Sequence, residues 1–406
     1  MTDAIAIVDG DDDRAARRVV LILAWAQSIL GAQLPVHFIL GTLVGATLAE
    51  SPAFATLPIT MIVGGSMCAA PLMSALMARF GRRTGFLLAA GAGVLGAALA
   101  VHAIQEKSFG LFLAASALTG IYMAGQGFYR FAAADLASPR FRPTAISWVM
   151  AGGLVAALLG PQLVIEFSDY LEPIPYAGAY FVLVWLNLIG AIPLLFLEIP
   201  APERRIRGQK PGRSYREILR DRKLVVAMLC AMVSYALMNL VMTSTPLAMV
   251  ACGFGTGDVA SVTRGHIVAM YAGSFITGPL IARIGTPRVI CIGLTFLAIA
   301  GVVALSGIAF EHFAIALILL GLGWNFSFIG ATTLLAESHG PEDRGRVQGL
   351  NDFLVFGMVT LASASSGVLI SAWGWDAVNM AMLPGLTVAG LALIWLMRRM
   401  PTRQEA

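Results

Sequence analysis

The chain of 406 residues is 58% hydrophobic and only 12% charged, with a formal net charge of +4. Soluble globular proteins carry about twice that share of charged residues, ~25%, so the composition excludes a water-soluble domain and indicates a membrane protein. The loops described below account for the small positive charge, so it gives no reason to expect a nucleic-acid partner.

Twelve apolar segments follow one another along the chain. A helix needs about 20 residues to cross roughly 30 Å of hydrocarbon, and these segments are continuously apolar, unlike the alternating strands of a membrane barrel. The sequence therefore predicts an all-α membrane protein with twelve transmembrane helices. The predicted spans cover residues 19–46, 54–78, 85–104, 109–131, 144–166, 176–198, 224–250, 264–283, 288–308, 312–336, 346–371 and 376–397.

Spans one and four carry polar side chains near their midpoints. Gln33 and His37 lie one turn apart in span one, and Tyr122, Gln126 and Arg130 share one face of span four. An amide inside a membrane helix either binds a solute or joins two helices, worth about 1 kcal/mol or less, and the sequence leaves both open. Imidazoles titrate near neutral pH, so His37 is either a proton-coupling residue or an ordinary hydrogen-bonded one.

A basic linker divides the chain between spans six and seven. Residues 200–223 hold nine Lys and Arg against Glu203, Glu217 and Asp221. We therefore predict a six-helix half at 1–199, a linker at 200–223 and a second six-helix half at 224–406. Residues 214–223 read either as solvated linker, which is favoured, or as a short amphipathic helix on the membrane surface.

Charge asymmetry predicts the orientation. With the N-terminus in the cytoplasm, 25 of the 27 Lys and Arg fall on the cytoplasmic side, and the exceptions are Lys107 and Arg264. The positive-inside rule then places both termini in the cytoplasm.

The two halves resemble each other in sequence. Residues 76–81, Leu-Met-Ala-Arg-Phe-Gly, recur 204 positions later as Leu-Ile-Ala-Arg-Ile-Gly at 280–285. A second match is displaced by 202, since Asp135, Pro139 and Arg142 correspond to Glu337, Pro341 and Arg344. Two matches at nearly one offset predict a duplicated six-helix unit with pseudo-two-fold symmetry.

The loop after span two carries the most specific motif. Residues 74–83, Ser-Ala-Leu-Met-Ala-Arg-Phe-Gly-Arg-Arg, resemble the major facilitator signature Gly-x-Leu-Ala-Asp-Arg-x-Gly-Arg-Arg/Lys, and the resemblance extends over the whole chain. Ser74 and Ala78 depart from it, and Ala78 replaces the aspartate that in the family latches the outward-facing state. The resemblance implies gating roles for the following residues: Arg79, Gly81, Arg82, Arg83, Asp135, Arg142, Arg283, Gly285, Glu337, Arg344 and Asp352.

Two acids in that group have more specific predicted roles. Asp352, early in span eleven, is the candidate substitute for the missing latch and a second candidate for proton coupling. Asp135 resembles the family partner of the signature arginines. We expect Arg130 to pair with Asp135 or another carboxylate rather than to bind an anion.

In the family fold, spans one, four, seven and ten line a central cavity. Span seven offers Tyr235 and Asn239, and span ten offers Trp324, Asn325 and Phe328. With the residues of spans one and four, this makes an amide-rich, aromatic set that fits a planar, polar, neutral ligand. A strongly anionic solute is disfavoured, because it would need Arg or Lys near mid-membrane.

Two further motifs bear on the solute. Residues 323–326 and 346–353 look like a group of bacterial permeases, some proposed to carry riboflavin. Gly160-Pro161 is similar to part of an antiporter signature, although a plain kink explains it better.

These features predict a secondary transporter working by alternating access. The predicted solute is small, neutral and aromatic, with a riboflavin-like vitamin possible. The alternatives are multidrug or metabolite efflux by proton antiport and, in another class, a non-transporting sensor or assembly protein. We expect no enzyme activity, cofactor or metal, and a monomer in the lipid bilayer of the bacterial inner membrane.

Overall fold

The computed structural model describes residues 13–138, 141–199, 213–340 and 343–399. In these ranges the chain forms sixteen α-helices joined by short turns, without β-strands. The N-terminal half contains α1 (Asp13–Ile29), α2 (Gln33–Leu48), α3 (Leu57–Phe80), α4 (Arg82–Gln105), α5 (Phe109–Gln126), α6 (Tyr129–Leu136), α7 (Arg142–Phe167) and α8 (Ala177–Ala191). The linker and the C-terminal half contain α9 (Tyr215–Ile218), α10 (Arg222–Ala251), α11 (Thr256–Ala272), α12 (Ser274–Ile284), α13 (Thr286–Leu305), α14 (Phe310–Glu337), α15 (Arg344–Met380) and α16 (Met382–Met397).

The helices provide twelve membrane crossings. Eleven helical segments within the described ranges are long and apolar enough to span a membrane, and the last, Arg346–Met397, has 52 residues. At 1.5 Å per residue it would be about 78 Å long, more than twice the hydrocarbon thickness. Gly374, with φ 79° and ψ −171°, breaks the helix and divides the segment into spans eleven and twelve. The predicted all-α membrane fold is confirmed.

Several spans are less regular than the sequence predicts. Span one is interrupted by a 3₁₀ turn at Leu30–Ala32, and span four is broken between α5 and α6. Span eight begins at Thr256 rather than at the predicted residue 264, and it is interrupted at Gly273 between α11 and α12. These breaks lie inside apolar runs, so hydrophobicity alone does not reveal them.

The repeated motif has one local conformation in both halves. Gly81 ends α3 with φ 86° and ψ 158°, and Gly285 ends α12 with φ 87° and ψ 152°. This backbone region is open essentially to glycine alone, and no atom lies within 4 Å of a Cβ built at either position. Backbone conformation, rather than close packing, therefore requires glycine here.

Contacts between the halves are made by α3 with α15, by α7 with α11 and by α2 with α10. We call the side where α3 and α12 end in Arg79 and Arg283 the basic face, and the other side the opposite face. Near the opposite face, Thr56 Oγ1 donates to the carbonyl of Ser363 at 2.9 Å. Arg264 Nη2 also donates to Gln162 Oε1 at 2.9 Å. These bonds join the halves where the helices approach the opposite face.

The end of the linker is bound to the C-terminal half. Arg213 donates through its backbone N–H and Nε to the carboxylate of Asp343, at 2.6 and 2.5 Å, and through Nη1 to Asp221 at 3.1 Å. The Arg213 guanidinium holds the pKa of Asp343 below its usual range. Of the amphipathic helix that was the less favoured alternative for 214–223, the structure has only the single turn α9, with a capping box between Ser214 and Glu217.

Candidate functional site

A cavity with a volume of about 360 Å³ lies between the two halves, and 28 residues line it. The lining comes from the helices of spans one, two, four, five, seven, eight and eleven. Both the N-terminal and the C-terminal half therefore contribute residues to the cavity wall.

The largest contribution of the C-terminal half is a stripe on α10. Tyr235, Met238, Asn239 and Met242 all line the cavity. Their spacing of i, i+3, i+4 and i+7 places them on one face of the helix. The sequence singled out Tyr235 and Asn239, but Met238 and Met242 on the same face were missed because methionine is also an ordinary core residue.

Span four faces the cavity with Met123, Gln126 and Arg130. The Arg130 guanidinium lies over the ring of Phe131, 4.8 Å from its centroid. Arg130, which the sequence places on one face of span four with Gln126, thus contributes a cation to the cavity. The side chain of its expected partner, Asp135, lies outside the described part of the chain.

An aromatic cluster packs around Tyr235 of α10. The Tyr235 ring meets Trp324 and Phe328 edge-on, at centroid distances of 5.3 and 5.1 Å, and those two rings stack at 5.3 Å. Phe356 of α15 completes the cluster, 6.0 Å from Tyr235. Tyr235 and Phe356 line the cavity, whereas Trp324 and Phe328 do not. These last two rings pack against the Tyr235 ring from outside the cavity.

Glycines let helices approach closely at the cavity, once between the halves and once within the N-terminal half. A Cβ added to Gly153 would lie 2.6 Å from Cε1 of Tyr271. A Cβ added to Gly31 would lie 2.9 Å from Nε2 of Gln126. Glycine at these positions leaves room for a ring and an amide that both line the cavity.

Three predicted binding residues lie inside the N-terminal half instead. Gln33 Nε2 donates to Asn187 Oδ1 at 2.7 Å, and His37 Nε2 is 3.1 Å from the hydroxyl of Thr119. Gln33, His37 and Tyr122 are at most 1% exposed, and none lines the cavity. The observed hydrogen bonds of Gln33 and His37 join helices, which is one of the roles that the sequence left open for each of these two residues.

Asn325 is also placed by helix packing. Its Nδ2 donates to the carbonyl of Met270 at 2.6 Å and to the Ser274 hydroxyl at 2.8 Å, while its Oδ1 accepts from Thr277 at 2.5 Å. These partners flank the break between α11 and α12. Asn325 therefore bonds span eight on both sides of its interruption and does not line the cavity.

The predicted gating residues fall into four groups. Asp352 lines the cavity, and its Oδ1 accepts from Asn351 at 3.2 Å. Glu337 accepts a hydrogen bond from Thr286 at 3.2 Å. The side chains of Arg142 and Arg344 lie outside the described part of the chain. At the basic face, the remaining signature residues lie at or beside the two glycine turns: Arg79, Gly81, Arg82, Arg83, Arg283 and Gly285.

Gly160, half of the antiporter-like pair, has a packing explanation. A Cβ there would lie 2.5 Å from the carbonyl oxygen of Ala32 and 2.7 Å from Pro35. Glycine is needed because α7 crosses span one closely at this point. Pro161 lies within α7, which remains one continuous helix. The pair therefore gives no separate support for antiport.

A family model described as Major Facilitator Superfamily matches residues 19–272 and 227–406. The chain belongs to the major facilitator superfamily. It is 38% identical over 398 residues to the riboflavin transporter RfnT of Brucella anthropi, covering 97% of this chain and 99% of that one. It is 31% identical to the uncharacterized MFS-type transporter YddS of Bacillus subtilis, covering 94% of this chain and 92% of that one.

Solved structures of the superfamily show the same fold. The nucleoside transporter NupG aligns with a TM-score of 0.70 at 14% identity, covering 95% of this chain and all of that one. The human organic anion transporter MFSD10 aligns with a TM-score of 0.68 at 18% identity, covering 93% and 99%. This protein is thus a multi-pass membrane transporter of the major facilitator type, and the prediction that it is not an enzyme is confirmed.

Proposed function

We propose that this transporter carries riboflavin across the bacterial inner membrane by alternating access. The observation that carries the proposal is the cavity between the halves, whose wall combines flat aromatic rings with amide side chains. Six aromatic residues line it: Phe38, Phe128, Phe131, Tyr235, Tyr271 and Phe356. The similarity to a riboflavin transporter over nearly the whole length of both chains supports the same solute.

The cavity chemistry suits a flat, uncharged heterocycle with a polar edge. Aromatic side chains offer faces on which a fused ring can stack. Gln27, Gln126 and Asn239 offer amide donors and acceptors to its carbonyl and N–H groups. Arg130 and Asp352 contribute one charge of each sign, so the wall has no net charge that would select an ion.

The conformation supports a resting state open toward the basic face. Hydrogen bonds between the halves lie near the opposite face, at Thr56 with Ser363 and at Gln162 with Arg264. The positive-inside rule makes the basic face cytoplasmic. A membrane-impermeant maleimide should then label the exposed Cys252, next to the opposite face, from outside intact cells. Labelling only after permeabilisation would reverse the proposed orientation.

The proposed function is tested by uptake of radiolabelled riboflavin into proteoliposomes. Wild-type protein should show saturable uptake, and Phe356→Ala should raise KM by roughly tenfold, because a stacked ring contributes about 1–1.5 kcal/mol. The matched control is Phe353→Ala, since Phe353 lies one turn away on the same helix, 63% exposed and off the cavity wall. Absence of saturable wild-type uptake would disprove the proposal, and equal effects of the two substitutions would disprove the stacking site.

A further inference from the structure

The cavity wall is unusually rich in methionine. Five of its 28 residues are methionine, against 18 of the 406 in the chain, an enrichment of about four times. They come from both halves and from four different helices: Met123, Met150, Met238, Met242 and Met270. An enrichment spread over four helices cannot result from the composition of one segment.

Four of the five methionines lie deeper in the cavity than the two charges, whereas Met150, eight residues from the start of α7, lies level with Asp352, eight residues from the start of α15. Along α5 and into α6, Met123 lies seven residues further from the basic face than Arg130, which is about 10 Å at helical rise. Along α10, Met242 lies seven residues deeper than Tyr235, again about 10 Å. The other cavity charge, Asp352, lies near the start of α15 at the basic face. The cavity is therefore charged near the basic face, and methionine thioethers predominate at its inner end.

The two ends can adapt to a ligand to different extents. Methionine has an unbranched side chain with three rotatable bonds and a polarizable sulfur, so it fits differently shaped surfaces and packs well against rings. Binding surfaces that accept several partners commonly use such side chains. The Tyr235 ring, in contrast, is held by Trp324 and Phe328. The cavity thus has a rigid aromatic wall at Tyr235 and an inner end whose methionine side chains can change conformation.

We propose that the site is polyspecific for flavins and related fused heteroaromatics that differ in the substituents on their apolar ring. This inference rests on the proposed function and specifies how the solute lies in the cavity. The apolar, alkyl-substituted ring enters first and lies among the methionines. The polar pyrimidine edge and the hydroxylated chain remain toward Arg130, Gln126 and Asp352. Methionine side chains then adapt to different substituents on the apolar ring. Substituents on the polar edge meet no such adaptable side chains.

The test measures ligand binding to the purified, detergent-solubilised transporter through the ligand-induced shift of its unfolding temperature. The panel contains riboflavin, flavins with larger, smaller or polar substituents on the apolar ring, and a flavin methylated at the ring N–H of the pyrimidine edge. We expect dissociation constants within tenfold of riboflavin for every apolar-ring analogue and a loss of more than tenfold for the methylated edge. A spread above tenfold among the apolar-ring analogues would overturn the inference.

A stiffened variant tests whether the methionines cause the tolerance. Isoleucine is close to methionine in size but branched at Cβ and restricted in rotamers. In the variant Met123→Ile/Met242→Ile, the dissociation constants of the apolar-ring analogues should rise at least fivefold relative to that of riboflavin. Met358→Ile is the control, because Met358 is exposed and off the cavity wall. An unchanged ratio in the double variant would overturn the role of the methionines.

The outcomes separate this inference from the proposed function. If riboflavin binds but is not carried into proteoliposomes, the proposed function fails while the binding panel still decides the inference. If riboflavin is carried and the apolar-ring analogues are rejected, only the inference fails. If no compound of the panel shifts the unfolding temperature, both fail.

Discussion

Gly153 of α7 lies against the ring of Tyr271 of α11, so closely that a Cβ on the glycine would be 2.6 Å from Cε1 and 2.8 Å from Cζ of that ring. The contact joins the two halves at the cavity wall, and its two members come from helices that are not neighbours in sequence. Tyr271 can therefore reach its observed position only if residue 153 has no side chain.

We expect Gly153→Ala to impair transport more than stability. One methyl group in a filled contact costs about 1–3 kcal/mol, and the structure can relieve it by moving Tyr271 into the cavity or by separating α7 from α11. Riboflavin uptake in proteoliposomes should fall at least fivefold while the protein still inserts and purifies normally. Gly91→Ala is the matched control, since nothing lies within 4 Å of its added Cβ. Wild-type uptake by Gly153→Ala would show that the close contact is unimportant.

Asn325→Ala tests a structural rather than a binding role. The substitution leaves the Met270 carbonyl and the Ser274 and Thr277 hydroxyls without their amide partner, at about 1–3 kcal/mol for each group left unsatisfied. We expect a clear fall in unfolding temperature, with riboflavin affinity little changed in the protein that remains folded. A large rise in the dissociation constant for riboflavin at unchanged stability would instead show that Asn325 belongs to the binding site.

The positions of Asp352 and His37 lead to different predictions for proton coupling. Asp352 lines the cavity, whereas His37 is enclosed in the N-terminal half beside Thr119 and Tyr180. If the transporter is proton-coupled, Asp352→Asn should abolish the response of uptake to an imposed pH gradient yet retain exchange of labelled for unlabelled riboflavin. His37→Gln should keep the gradient response. Loss of the response in His37→Gln alone would assign coupling to the histidine.

The Arg213–Asp343 ion pair predicts how stability depends on pH. The Arg213 hydrogen bond lowers the pKa of Asp343 in the folded protein, so the pair stabilises the fold above the ordinary aspartate pKa, about 3.9. That contribution is lost as the pH falls through the lowered folded value. Asp343→Asn should therefore lower the unfolding temperature at pH 7, and its difference from wild type should shrink below about pH 4.

A double-mutant cycle provides the control for that pair. Arg213→Gln, Asp343→Asn and the combined variant are compared at pH 7, where interacting residues give non-additive changes. Additive losses would contradict a direct contribution of the pair. Equal differences from wild type at pH 7 and at low pH would contradict its dependence on the Asp343 carboxylate.

The composition and the length of its apolar runs determined that this chain is an all-helical membrane protein with twelve crossings, because only helices satisfy their own backbone groups in hydrocarbon. The motif at residues 74–83 was enough to indicate the family. The glycines that end α3 and α12 were recognisable as a repeated pair, since a backbone that only glycine adopts constrains the residue type at its own position.

Only the tertiary structure decided which polar residues reach the cavity. Gln33 and Gln126 look alike in sequence, yet Gln33 bonds Asn187 within one bundle and Gln126 lies on the cavity wall. Arg130 and the five methionines also lie on the cavity wall, because helix packing turns their faces toward the cavity. The helices are interrupted at residues 30–32, 127–128 and 273, and the rotation of each helix depends on packing against helices distant in sequence. Periodicity shows which residues share a face, but only packing determines what that face contacts.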